Sequence, residues 1–194
     1  MDCFQLVVSA NFREETQLDK TTTSIPSHSN QVGKIFFDGA YTKDGAGTGV
    51  VLIPPEGERI MISHKLQFET IDNVAEYEAL ILGLKAAKKM GVRSISFFGD
   101  SDLVVHQVKQ QYQCKHPRMK SYRNYVWDIV HNFFDDFNIR SIPREENNEE
   151  DALATLSSTF RPPPMLKIKH EVEIRHNPSI PDNVKHWPVF EDDQ

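Results

Sequence analysis

The chain has 194 residues, of which 39% are hydrophobic and 26% charged, with a formal net charge of -6. That length suits one domain of about 100–150 residues plus additional chain, and no stretch approaches the roughly 18 uninterrupted apolar residues of a membrane span. Cys3 and Cys114 are the only cysteines, too few for a disulfide framework or a tetrahedral thiolate zinc site. The acidic balance argues against a surface that is a nucleic-acid footprint throughout, although it leaves room for a local basic patch. The opening residues, MDCFQLVVSANFREE, lack the basic start and long apolar run of a secretory signal. The expectation is a soluble protein of a reducing, intracellular compartment, cytoplasmic or nuclear, with no membrane partner.

Residues 1–33 hold one short apolar run, Leu6 to Val8, followed by a polar stretch without period, and read as a flexible leader. KIFFDGA, GTGVVLIPP and ERIMISHKLQF are apolar or alternating runs separated by Gly, Pro and Asp, which predict three antiparallel strands joined by hairpins. Asn73 to Met90 is rich in Ala, Leu, Glu and Lys at helical spacing and closes with Gly91, predicting a helix. SISFFGD predicts a fourth strand, and Ser101 to Tyr112 a helix with Leu103, Val104, Gln107 and Val108 on one face. After the loop QCKHPRMK come an amphipathic helix, SYRNYVWDIVHNFFDDF, a short strand, NIRSIP, and a helix from about Asn148 to Ser158. Trp127, Phe133, Phe134 and Phe137 are read as core packing for the helix SYRNYVWDIVHNFFDDF that carries them. The triple proline at 162–164 removes three backbone donors in a row, so residues 161–194 are expected to be an extended or loosely docked tail. Its His170, His176 and His186 have no cysteine partner and a Pro-rich context, which argues against a metal site. The domain is placed at residues 34–160, in the order β-β-β-α-β-α-α-β-α, an α/β protein with a mixed sheet and helices on its faces.

Four acidic residues stand in places that invite two readings each. Asp38 ends an apolar strand beside Gly39 and Ala40, which suits a turn or a presented carboxylate. Stepping from Glu76 along its helix reaches Leu80, Gly83, Leu84 and Ala87, whereas stepping from Glu78 reaches Leu82, Lys85, Ala86 and Lys89. Glu76 is therefore expected to face the core side and Glu78 solvent. A buried carboxylate must be paired, protonated or bound to a metal, although an acid in a first helical turn is also favoured by the helix dipole. Asp100 lies at the carboxyl end of the fourth strand, where α/β sheets place ligands, but it is equally suited to cap the next helix. Asp151 sits in an acidic helix start, ENNEEDALATL, a pattern that is commonly just solvated. If the fold brings all four together, a set of hard oxygen donors selects Mg²⁺ or Mn²⁺ over zinc. Two such ions about 4 Å apart activate water and stabilise the leaving oxygen in phosphodiester cleavage.

In combination the motifs FFDGA at 36–40, NVAEYEALILGL at 73–84, GDSDLVVHQV at 99–108 and PREENNEEDALATL at 143–156 resemble type 1 ribonuclease H. The likeness is strongest to the ribonuclease H domain of plant gypsy-type LTR retrotransposon polyproteins, in the reverse transcriptase-like family. The resemblance covers about Lys34 to Phe160. It implies a ribonuclease H-like fold with a five-stranded mixed sheet, and it makes Asp38, Glu76, Asp100 and Asp151 the catalytic, metal-binding carboxylates for two Mg²⁺ ions, replaceable by Mn²⁺. The implied reaction is endonucleolytic hydrolysis of the RNA strand of an RNA/DNA hybrid, leaving 3′-hydroxyl and 5′-phosphate ends. The implied partners are the hybrid and a reverse transcriptase domain of the parent polyprotein.

Ribonucleotide 2′-hydroxyls distinguish RNA from DNA at such a site, so Gly39, Asn73, Ser101 and Asn147 are the candidate contacts. Lys115, Arg118, Lys120 and Arg123 stand where cellular relatives carry a basic protrusion and are candidate phosphate contacts, with an ordinary solvated loop as the other reading. Three departures are visible. Ile71 and Asp72 precede Asn73 where relatives have Thr and Asn. Asp102 stands where Gln is common, and the loop Ser141-Ile142-Pro143-Arg144 lacks the mobile His of cellular enzymes. The missing His is normal in the retrotransposon branch, whereas Ile71, Asp72 and Asp102 also fit a different class of protein, a non-catalytic nucleic-acid-binding or interaction module left by a decayed or domesticated element.

Overall fold

The computed structural model describes residues 32–148, 154, 155, 158 and 173–182. Strand β1 (Gly33–Thr42) turns through Lys43 and Asp44 into β2 (Gly45–Ile53), and β3 (Ile60–Leu66) completes the antiparallel set. The tight first hairpin depends on Gly45, whose φ of 139° is open to glycine and strained for other residues. Along β1, Gly33, Ile35 and Phe37 are buried while Lys34 is exposed and Phe36 half-buried, the period-two alternation of a half-covered strand. The strand runs four residues further than the apolar run suggests, so Asp38 lies inside it, opposite Gly49 of β2, and not at a turn.

Helix α1 (Asp72–Lys89) ends at Met90 and Gly91, with Gly91 at φ 76°, as the sequence predicts. Strand β4 (Ser94–Gly99) pairs parallel to β1, with Gly33 opposite Ile95 and Phe36 opposite Phe98. Helix α2 (Asp102–Val108) is shorter than expected, because Gln110 takes φ 61° and turns the chain. Helix α3 (Pro117–Phe133) starts and ends four residues earlier than expected. Pro117 opens it, a position where the missing N–H costs nothing, and Phe137 falls on strand β5 (Asp136–Ser141) instead. A 3-10 turn at Arg144–Glu146 follows. Ala154, Thr155 and Ser158 are helical, in keeping with the last predicted helix, whose residues 149–153, 156 and 157 lie outside the described residues.

The sheet has one strand more than the five that the resemblance implies. Glu173–Arg175 form a sixth strand, β6, parallel to β3, and the sheet order is β5-β4-β1-β2-β3-β6. The core beneath joins Ile35, Phe37, Leu52, Leu80, Leu84, Ile95 and Phe97 of the sheet and α1 to Val104 of α2, and to Tyr122, Val126 and Trp127 of α3. Phe134 packs edge-on against Phe97, with centroids 6.4 Å apart, whereas Phe133 and Phe137 are only half-buried at the margin of the core.

Candidate active site

The parallel register of β1 and β4 places the first two acids. Continuing it two residues beyond Phe36 and Phe98 sets Asp38 beside Asp100, the residue that directly follows β4. The third acid arrives on α1, which passes so close to β1 that no side chain fits between them. A Cβ on Gly39 would lie 2.2 Å from the Glu76 nitrogen and 2.3 Å from the Ala75 carbonyl carbon. Glycine is thus required at 39 for backbone approach, and its N–H donates to the Glu76 carboxylate. Asp38, Glu76 and Asp100 each offer an oxygen, and these oxygens lie within 4.8 Å of one another.

The sequence alternatives for these acids resolve locally. Glu76 is in the second turn of α1, and Asp72 is the acid of its first turn. Ser101, not Asp100, caps α2, its hydroxyl accepting from Val104 N–H at 3.4 Å. Neither Glu76 nor Asp100 therefore has a capping role to account for it.

The electrostatics show what the cluster lacks. Burial, then the charges of Asp38 and Asp100, push the Glu76 carboxyl well above the usual carboxylate range, against the pull of the Gly39 N–H and Arg144. Among the described residues, Glu76 Oε2 and Asp100 Oδ1 are buried without a hydrogen-bond partner. Orphaned buried oxygens that repel one another are what a hard divalent cation neutralises, and a donor set of carboxylate oxygens alone suits Mg²⁺ or Mn²⁺. The residues present fit such an ion.

Arg144, from the 3-10 turn, brings its Nε to 3.8 Å from Asp100 Oδ2. Sequence reasoning noted Arg144 only as the replacement for a mobile His. No spacing rule could have placed its charge here, because the approach depends on β5 ending beside β4. Glu78 corrects the sequence reading outright. It is buried, and its carboxylate accepts from the Tyr122 hydroxyl, the Ser179 N–H and the Ser179 hydroxyl, each at 2.6 Å.

The remaining predicted residues divide. Asn73, half-buried, is in the first turn of α1 on the approach to Glu76. Asn147 is fully buried, and its side-chain N–H donates to the Phe37 carbonyl at 3.0 Å, so it ties its loop to β1 just before Asp38 and presents no surface. Lys115 is exposed and Lys120 half-buried at the start of α3. Arg123 is buried, bonds Asn124 Oδ1 and lies over the Trp127 ring at 4.4 Å, a packing role that keeps it from a substrate phosphate. Arg118 pairs with Asp182 of the tail. Asp102 accepts a hydrogen bond from the Ser141 hydroxyl. Asp151 lies outside the described residues.

A family model described as reverse transcriptase-like matches residues 36–157. Ribonuclease HI of Halobacterium salinarum is 33% identical over 121 residues, covering 61% of this chain and 60% of that protein. The bifunctional protein Rv2228c of Mycobacterium tuberculosis is 32% identical over 111 residues, covering 56% of this chain and 30% of that protein. The chain thus spans less than two thirds of the length of either relative. Among solved structures, RNase H1 from Halobacterium salinarum superposes with a TM-score of 0.60 at 31% identity, covering 64% of this chain and 96% of that one. LC11-RNase H1, solved in complex with an RNA/DNA hybrid, gives a TM-score of 0.58 at 30% identity, covering 63% and 94%. The family match takes in β1, α1 and β4 together with the three acids they converge, and the chain belongs to this reverse transcriptase-like family, with the fold of the type 1 ribonucleases H.

Proposed function

We propose that the chain is a metal-dependent endonuclease that hydrolyses the RNA strand of RNA/DNA hybrids. The observation that carries this reading is the convergence of Asp38, Glu76 and Asp100 from three separate elements, with buried carboxylate oxygens that suit a hard divalent cation. Fold likeness alone would not carry it, since one fold hosts many activities. These three carboxylates, joined by Asp151 through its motif, would hold a pair of Mg²⁺ ions. Such ions supply the polarisation of an attacking water and the neutralisation of charge on the departing oxygen.

The chain's own residues prepare the site in three ways. The Gly39 N–H orients the Glu76 carboxylate, the Asn147 amide fixes β1 beside Asp38, and Arg144 places positive charge at the rim next to Asp100. Asn73 and the Gly39 backbone are the groups best placed for 2′-hydroxyls. Lys115, exposed just before α3, is the basic residue of that run assigned to a backbone phosphate. The motif likeness supports placing the work inside the cell, beside the reverse transcriptase of a retroelement.

The test is incubation of the purified chain with an end-labelled RNA/DNA hybrid in Mg²⁺, in Mn²⁺ and in EDTA, beside Asp100→Asn, with duplex DNA and single-stranded RNA as controls. Cleavage confined to the RNA strand of the hybrid, requiring metal and reduced at least about 100-fold in the variant, is the expected outcome. Absence of product from the wild type in Mn²⁺ at high enzyme, with hybrid binding retained, would leave a binding module instead.

A further inference from the structure

The described part of the tail, residues 173–182, is fastened to the domain at both ends. At one end β6 pairs with β3, the Arg175 carbonyl accepts from Gln67 N–H at 2.8 Å, and His64 contacts Glu173 at 3.2 Å. At the other, Ser179 bonds Glu78 through both its N–H and its hydroxyl, and Ile180 is buried in the main core. Beyond these anchors stands Asp182, whose carboxylate accepts from the Arg118 guanidinium. Arg118 lies in the first turn of α3, inside the basic run that begins at Lys115. It also borders Tyr122, whose hydroxyl donates to Glu78, so the tail anchor and the basic run share one network.

The two parts of this attachment differ in strength. Glu78 and Ile180 are buried and Ser179 half-buried, whereas the Asp182 side chain is 75% exposed and that of Arg118 30%. An ion pair this open to water is weak and easily screened. A phosphate offers the planar guanidinium a better partner than a single solvated carboxylate does. Asp182 can therefore yield Arg118 while Glu78 still grips Ser179, with no undocking of the tail.

We infer that Asp182 is a stand-in for a nucleic-acid phosphate: the docked tail occupies Arg118 at rest, and an RNA/DNA hybrid must displace it to engage that guanidinium. This rests on the hybrid as substrate and adds a regulatory contact to it. Asp182 then sets a threshold against weak polyanion binding, and Arg118 contributes only after the exchange.

Fluorescence anisotropy with a labelled RNA/DNA hybrid in EDTA, where cleavage is suppressed, tests the exchange in the full chain. The proteins compared are wild type, Asp182→Asn, Arg118→Ala, the double variant and Asp135→Asn. The last removes an equal charge from the exposed pair with Arg93, outside this network. Asp182→Asn is expected to tighten binding by about two- to fivefold and to steepen the plot of log K against log salt by up to about 0.9. Asp135→Asn should change little, and Arg118→Ala should erase the gain. Equal binding by wild type and Asp182→Asn would overturn the exchange, as would a gain that survives Arg118→Ala or is matched by Asp135→Asn. Failure of every protein to bind the hybrid would instead overturn the substrate reading, and the exchange with it.

Discussion

Glu76 and Glu78 stand two residues apart on one helix, both buried, and are accommodated in opposite ways. Glu78 is surrounded by donors from α3 and the tail, whereas Glu76 receives one backbone N–H and faces two further acids. Metal-free protein should therefore resist ionising Glu76. Because its folded pKa is raised above the unfolded value, the protonated form is the stable one. Stability contributed by this group is present below the usual glutamate pKa and is lost as pH rises through the raised value. Glu76→Gln keeps an acceptor for Gly39 but carries no charge. In EDTA the variant should be more stable than wild type at about pH 8, by on the order of 1 kcal/mol or about 2–4 °C in Tm, and nearly equal to it at about pH 5. Added Mg²⁺ should raise the Tm of wild type and not of the variant. Calorimetry at the two pH values checks this, and a wild type more stable than the variant in EDTA at the higher pH would mean that the acids are not in conflict.

At the scale of elements, the site depends on how near α1 can come to β1. Gly39→Ala would drive a Cβ into the backbone of Ala75 and Glu76, which cannot swing aside as a side chain can. It should cost about 2–3 kcal/mol and, by moving α1 outward, blunt the Mg²⁺-induced rise in Tm. Gly83→Ala is the informative comparison. Its Cβ would meet the Ile35 side chain at 2.7 Å, a neighbour with some freedom, and alanine favours the helix by about 1 kcal/mol. It should cost less and leave the metal response intact, and thermal melts with and without Mg²⁺ separate the two. The elements were legible because their periods are clean, and Asp38, Glu76 and Asp100 stood out as acids interrupting apolar runs. Glu78 was misread because face analysis assumes a solvent side, and α1 is covered by the sheet, by α3 and by the tail in turn. The ends of α2 and α3 were misplaced where a single positive φ at Gln110 and an initiating Pro117 override the pattern.

On the scale of the whole molecule, the tail is the part that sequence periodicity could not show. A three-residue parallel strand has no measurable period, and its partner β3 lies more than a hundred residues back in the chain. The contacts that hold it are specific nonetheless. His64 is kept near a pKa of about 4 by burial and by Arg175, so at neutral pH it is uncharged and its contact with Glu173 is a hydrogen bond, not an ion pair. Burial wins over the attraction of Glu173 because that carboxylate is largely exposed and solvated. Ending the chain after Val172 would strip Glu78 of both Ser179 donors and uncover the pocket filled by Ile180. Charge-assisted hydrogen bonds are worth about 1.5–3 kcal/mol each and a buried isoleucine about 1.5–3 kcal/mol. Water reaching the freed Glu78 returns part of that, so a net loss of about 2–4 kcal/mol is expected. Typical domain stability is about 5–15 kcal/mol, so the truncated protein should still fold. Its acids come from β1, from the residue after β4 and from the N-terminal half of α1; none of these pairs with β6, although Ser179 bonds Glu78 on α1. Denaturant melts of the truncated chain should therefore show a lower midpoint together with an undiminished stabilisation by Mg²⁺. Loss of the metal response along with stability would mean that the tail supports the site and not only the edge of the sheet.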